Sequence, residues 1–137
     1  MTTDTRSHAV PDTVAAESTA WRRLDDRIPL RLMLAVAVLW AVSLYVVFSL
    51  APAPPAEDPS AAAVLVGLGF ELSLLATIAG FAILRRWGLL ASAGGGVVLL
   101  VGAGLCSLGG HTGGWLVAQY VTGAAIFGVS WAAFRRF

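Results

Sequence analysis

The chain has 137 residues, one domain's length, of which 58% are hydrophobic and only 12% charged, and its mean hydropathy is +0.80. That balance excludes an ordinary soluble domain and points to membrane spans. The net charge of +1 excludes a strongly basic nucleic-acid binder, and the single cysteine, Cys106, excludes an internal disulfide or a CxxC redox pair.

Residues 1–17 are polar, mixed in charge and without periodicity, so a disordered cytoplasmic tail is expected there. Ser18 or Thr19 can cap a helix, and Trp21, Leu24 and Ile28 follow at i, i+3 and i+7 with Arg22, Arg23, Asp25, Asp26 and Arg27 between them. This pattern predicts a short amphipathic interfacial helix over 18–28, its arginines near anionic headgroups, ended by Pro29. A solvated helical lead-in to the first span fits the same residues.

Four apolar segments follow at about 32–51, 61–84, 87–108 and 115–134, so residues 29–137 read as a four-helix transmembrane domain. Each segment can cross about 30 Å of hydrocarbon at about 1.5 Å per residue. The links between them are the proline-rich, acidic APAPPAEDPS, the pair Arg85-Arg86 and the glycine-rich GGHTGG. Arg6, Arg22, Arg23, Arg27 and Arg31 precede the first span, Arg85 and Arg86 separate the second from the third, and Arg135 and Arg136 follow the fourth. The remaining two links hold no basic residue. Four spans therefore place all nine arginines on one side, and the positive-inside rule predicts an antiparallel up-down bundle with both termini in the cytoplasm. Lysine and asparagine, both specified by A-rich codons, are absent. Their absence points to a high-GC bacterial source and hence to a bacterial cytoplasmic membrane. Ser49-Leu50-Ala51 resembles a signal-peptide cleavage site, but the apolar run and the tail before it are too long and Pro52 would follow the cut; a retained anchor is expected.

Lipid gives helices no hydrophobic reason to associate, so small residues mark where they pack. Gly95 and Gly102 in the third span, and Ala124, Gly128 and Ala132 in the fourth, predict a tight contact between these two helices. In the second span Gly69, Ser73 and Gly80 form a small-residue seam, and Glu71 lies on the opposite face.

Glu71 lies ten residues into its segment, about 15 Å along the helix and near the midplane. Intramembrane carboxyl groups are costly and mark interior, interface or transport sites. No Arg, Lys or His occurs within any of the four segments, so no ion-pair partner exists there. Trp40, Ser43, Tyr45, Gln119 and Thr122, at similar or slightly shallower depth, are candidate hydrogen-bond partners. Glu71 is thus either a protonatable transport site or a polar tie between helices or to a neighbouring chain. His111, in the loop, reads as a mobile surface histidine, and neither a metal nor another cofactor is expected, because ligands at suitable spacing are missing. No nucleophile–histidine–acid arrangement or phosphate-cradling motif occurs, so an enzyme is not expected. The expected function is that of a non-catalytic accessory or stabilising subunit of a larger membrane complex, in contact with lipids and with other subunits or further copies of itself. The alternative is a small homo-oligomeric proton-coupled transporter or channel using Glu71.

Overall fold

The structure, a computed structural model, describes residues 24, 26–52 and 58–137. Four helices account for most of them: α1 (Leu30–Leu50), α2 (Ala61–Ala82), α3 (Trp87–Leu108) and α4 (Gly114–Arg136), with no strand among the described residues. All four are long and apolar enough to cross a membrane, which makes the chain a multi-pass membrane protein by length and composition.

The helix ends follow from local chemistry. Pro29 caps α1, its carbonyl accepting from the Leu32 and Met33 amides at 3.0 and 3.2 Å, so the helix begins two residues before the uncharged run. It stops at Leu50 because Ala51, which precedes Pro52, is extended. Ser60 caps α2 by accepting the Ala63 amide at 3.2 Å. At the other end of α2, the Arg85 amide bonds the Gly80 carbonyl at 2.8 Å and the Leu84 amide bonds Phe81 at 3.0 Å, with Leu84 at φ 55. That is a Schellman stop. It ends α2 at Ala82, where the apolar run alone suggests 84. At α4 the helix instead runs through Arg135 and Arg136, cations that suit the negative end of the helix dipole.

The expected tail 1–17 lies outside the described residues, as does the expected interfacial helix 18–28 except for Leu24 and residues 26–28. Leu24 is helical, whereas 26–28 are not. Ile28 precedes Pro29, which disfavours helical backbone. This stretch lies against the α2–α3 turn, with the Ile28 amide bonded to the Leu84 carbonyl at 2.9 Å and the Arg86 amide to the Asp26 carbonyl at 3.0 Å.

α2 packs on α3, α3 on α4 and α4 on α1, while no comparable seam joins α1 to α2. α3 is the innermost helix, with Leu89, Ser92, Gly96 and Ala103 among its buried residues. Val36, Trp40, Phe81, Leu89, Leu99, Ile126 and Ala133 form the core with Ile28. The close approaches run antiparallel. A methyl group at Gly80 would collide with the Gly88 backbone, and one at Gly69 would meet Val98 at 3.7 Å. Gly95 receives the Trp40 ring, 2.9 Å from where a methyl group would stand, and lies 3.4 Å from Ser73 by the same measure; Gly102 meets Val66 and Gln119 at 3.1 and 3.4 Å.

The α3–α4 seam differs from the expected one. Ala124, Gly128 and Ala132 are exposed, and nothing lies within 4 Å of a methyl group placed at Gly128. α4 instead turns Leu116, Gly123, Ile126, Ser130 and Ala133 inward. Gly96 meets Gly123, whose carbonyl oxygen would lie 2.8 Å from a methyl group at Gly96. Facing glycines allow that approach and leave Ile126 fully buried beside it. The alanine stripe, one residue along and about 100° around the helix, therefore faces away.

Both ends of the α2–α3 turn are tied down. Arg86 sends Nε to the Phe134 carbonyl at 3.1 Å and Nη2 to the same oxygen, with its guanidinium carbon 4.5 Å from the Phe134 ring centroid. A cation thus satisfies a carbonyl that the last turn of α4 would leave open. All six described arginines lie at this end of the bundle, in or beside α1's start, the α2–α3 turn and α4's finish.

Candidate functional site

Two features stand out, and they do not coincide. The first is Glu71. It is exposed at the middle of α2, in one apolar stripe with Val64, Leu68, Leu72, Leu75 and Ile78, all exposed as well. α2 is the least covered helix, with 6% of its apolar window buried against 44% for α3. Its small-residue seam is on the other face. There Ser73 Oγ donates to the Gly69 carbonyl at 2.8 Å and Thr77 Oγ1 to the Ser73 carbonyl at 2.7 Å, so both hydroxyls are satisfied within the helix and the seam presents only small surfaces to α3.

Glu71 hydrogen-bonds no described residue, and none of the side chains expected to meet it does so. Trp40 donates its indole N–H to Ser92 Oγ at 2.8 Å, and Ser92 shares a 2.7 Å bond with Ser130 Oγ, all three buried. Thr122 Oγ1 donates to the Ala118 carbonyl at 2.8 Å. Tyr45 is exposed on α1 and Ser43 is buried. Gln119 is turned inward, and its Oε1 is a buried oxygen without a partner. The network of Trp40, Ser92 and Ser130 joins α1, α3 and α4. Side chains tilt toward the N-terminus of their helix, so the Trp40 indole reaches down toward the arginine end, where Ser92 and Ser130 lie at matching heights. Polar residues at equal distance from that end were the available signal.

The second feature is a cleft of about 850 Å³ in the half of the bundle away from the arginines. It opens where α1 and α2 fail to pack, and α3 and α4 form its back. Ser43, Gln119 and Thr122 line it, together with Cys106, His111 and Asp58, but Glu71 does not. Trp40 and Phe70, with ring centroids 5.8 Å apart, bridge α1 and α2 toward its inner limit. No group of three His, Cys, Asp or Glu side chains is placed to hold a metal ion among the described residues. The geometry offers a wide apolar space with few polar groups, and separately a carboxyl group on the outside of the bundle.

Compared with known proteins, the chain matches no family model, no curated protein and no solved structure.

Proposed function

We propose that this is a non-catalytic polytopic protein of a bacterial cytoplasmic membrane, an accessory or stabilising subunit that contacts other membrane-embedded helices through the outward face of α2. The observation that carries the reading is Glu71, a carboxyl group in the middle of a lipid-height apolar stripe and without a partner among the described residues. A carboxyl group facing hydrocarbon is costly, and a polar partner on another chain removes that cost. The exposed Ala124, Gly128 and Ala132 stripe of α4 offers a second surface on which a helix can approach closely. The up-down arrangement with both termini in the cytoplasm rests on the arginines, which the positive-inside rule assigns to the cytoplasmic side.

The test is purification of the tagged chain in a mild detergent. Foreign membrane subunits at stoichiometric yield support the reading, and recovery of the chain only as a homo-oligomer counts against it. A homo-oligomeric proton-coupled transporter or channel is the second reading, favoured by the same exposed Glu71, because a path formed between copies would place the carboxyl group inside the assembly. Proteoliposomes carrying Glu71→Gln should then lose a pH-driven flux that the unaltered protein shows; equal flux rejects it.

A further inference from the structure

We propose that the cleft between α1 and α2 binds a single-chain amphiphile with a protonated amino head, its apolar body along the helices and its head drawn to Gln119 and Asp58. The volume, about 850 Å³, falls in the range of small-molecule sites, which are mostly apolar with a few convergent polar groups. Val47 of α1, Val66 and Phe70 of α2 and Leu105 of α3 supply apolar wall on three sides. Such a wall suits an alkyl chain or a small hydrophobic body, and the missing α1–α2 seam gives it a way in from the lipid.

The head group follows from the polar side chains. Gln119 lines the cleft, yet its Oε1 is buried without a hydrogen bond, an acceptor lacking a donor. An unmet buried acceptor is costly. The terminal torsion of glutamine is broad and roughly two-fold, so a half-turn of the amide exchanges its two ends, bringing the oxygen to the cleft and the NH2 group to the enclosed position. Asp58, exposed on the same lining, forms no ion pair with a described residue. No arginine or lysine lies in either link at this end of the chain, and His111 is its only basic side chain. An acceptor and an acidic group beside a low-dielectric space select a ligand that donates hydrogen bonds and carries positive charge. A phosphate head would meet Asp58 with no arginine to offset it, which sets the amine apart from the phospholipids around the protein. Glu71, on the outside of α2, takes no part, so this site stands apart from the proposed subunit contact.

The test uses the full chain in phosphatidylcholine nanodiscs, with octylamine, octanol and octyl phosphate as probes. Equilibrium dialysis, corrected by empty discs, reads saturable binding. The expected result is one saturable octylamine site, weaker saturable octanol binding and no saturable octyl phosphate. Asp58→Asn should weaken octylamine about threefold to tenfold and leave octanol unchanged, because only the amine carries charge, whereas Gln119→Leu should weaken both by a similar factor. Octyl phosphate binding as tightly as octylamine overturns the proposal. So does the absence of a saturable amine site, the outcome expected if lipid or a second copy fills the cleft. Unchanged amine binding in both variants, with helicity retained by circular dichroism, overturns it as well. The three-probe comparison on the unaltered protein decides the matter even where a variant fails to fold.

Discussion

Ser92→Ala should destabilise the fold by about 2 kcal/mol, and the network it interrupts sets that figure. Ser92 is wholly buried and holds two interhelical bonds at once, accepting the Trp40 indole N–H at 2.8 Å and hydrogen-bonding the Ser130 hydroxyl at 2.7 Å. Interhelical hydrogen bonds within membranes average about 0.6 kcal/mol and reach about 1.7. Loss of Ser92 also strands the indole N–H in a dry site, which costs about 1–3 kcal/mol. Alanine returns roughly 0.5 kcal/mol through helix propensity. The balance near 2 kcal/mol corresponds to about a thirtyfold shift in the folding equilibrium. Ser130→Ala removes only one bond and leaves Trp40 paired, so after the same propensity gain it should cost less than about 0.5 kcal/mol. Steric trapping in bicelles, with helicity by circular dichroism as a second probe, measures both. Equal losses for the two variants, or a Ser92→Ala effect below about 0.5 kcal/mol, would refute the reasoning.

Gly80→Ala should destabilise by about 1–3 kcal/mol or prevent folding, because its methyl group meets the Gly88 backbone and a short turn leaves the helices no room to part. Gly67→Ala, where nothing lies within 4 Å, should be neutral or stabilise by up to about 1 kcal/mol in the same assay. Arg86→Gln should lose about 1 kcal/mol through the open Phe134 carbonyl and the lost ring contact, read as a lower thermal midpoint in detergent. Glu71→Leu should leave the stability of the isolated chain within about 0.5 kcal/mol, since no described residue depends on the carboxyl group. A large loss would place Glu71 inside the fold.

Helix number and position were legible because hydropathy along a chain is a one-dimensional property and the bilayer sets the length it must reach. Helix ends depended on a second layer of chemistry. The Schellman bonds at Gly80 and Phe81 stop α2 with Leu84, not glycine, in the left-handed position, a residue choice that no turn rule flags. Rotation of each helix about its axis was only partly legible. On α2 the seam of Gly69, Ser73 and Gly80 sits against α3, where a single small face competes with bulky neighbours. On α4 two small faces exist, one through Gly123 and one through Ala124, Gly128 and Ala132, and spacing alone does not rank them. The buried volume of Ile126 and the facing glycine at 96 decide it, and both depend on the partner helix. The cleft was not legible at all. It arises from a contact that α1 and α2 do not make, and no pattern within either helix encodes a missing neighbour.

The pairing of residues 26–28 with the α2–α3 turn has a consequence for how freely the chain can vary. Both of its bonds, Ile28 to Leu84 and Arg86 to Asp26, run from main-chain amide to main-chain carbonyl. Neither reads the identity of a side chain, so most replacements at these positions leave the junction intact as far as hydrogen bonding goes. Proline at 28 or 86 is different, because it deletes the donor itself. The main-chain junction itself should therefore survive most substitutions and fail with proline at 28 or 86, while the side chains of Ile28, in the core, and Arg86, on Phe134, are held by their own contacts.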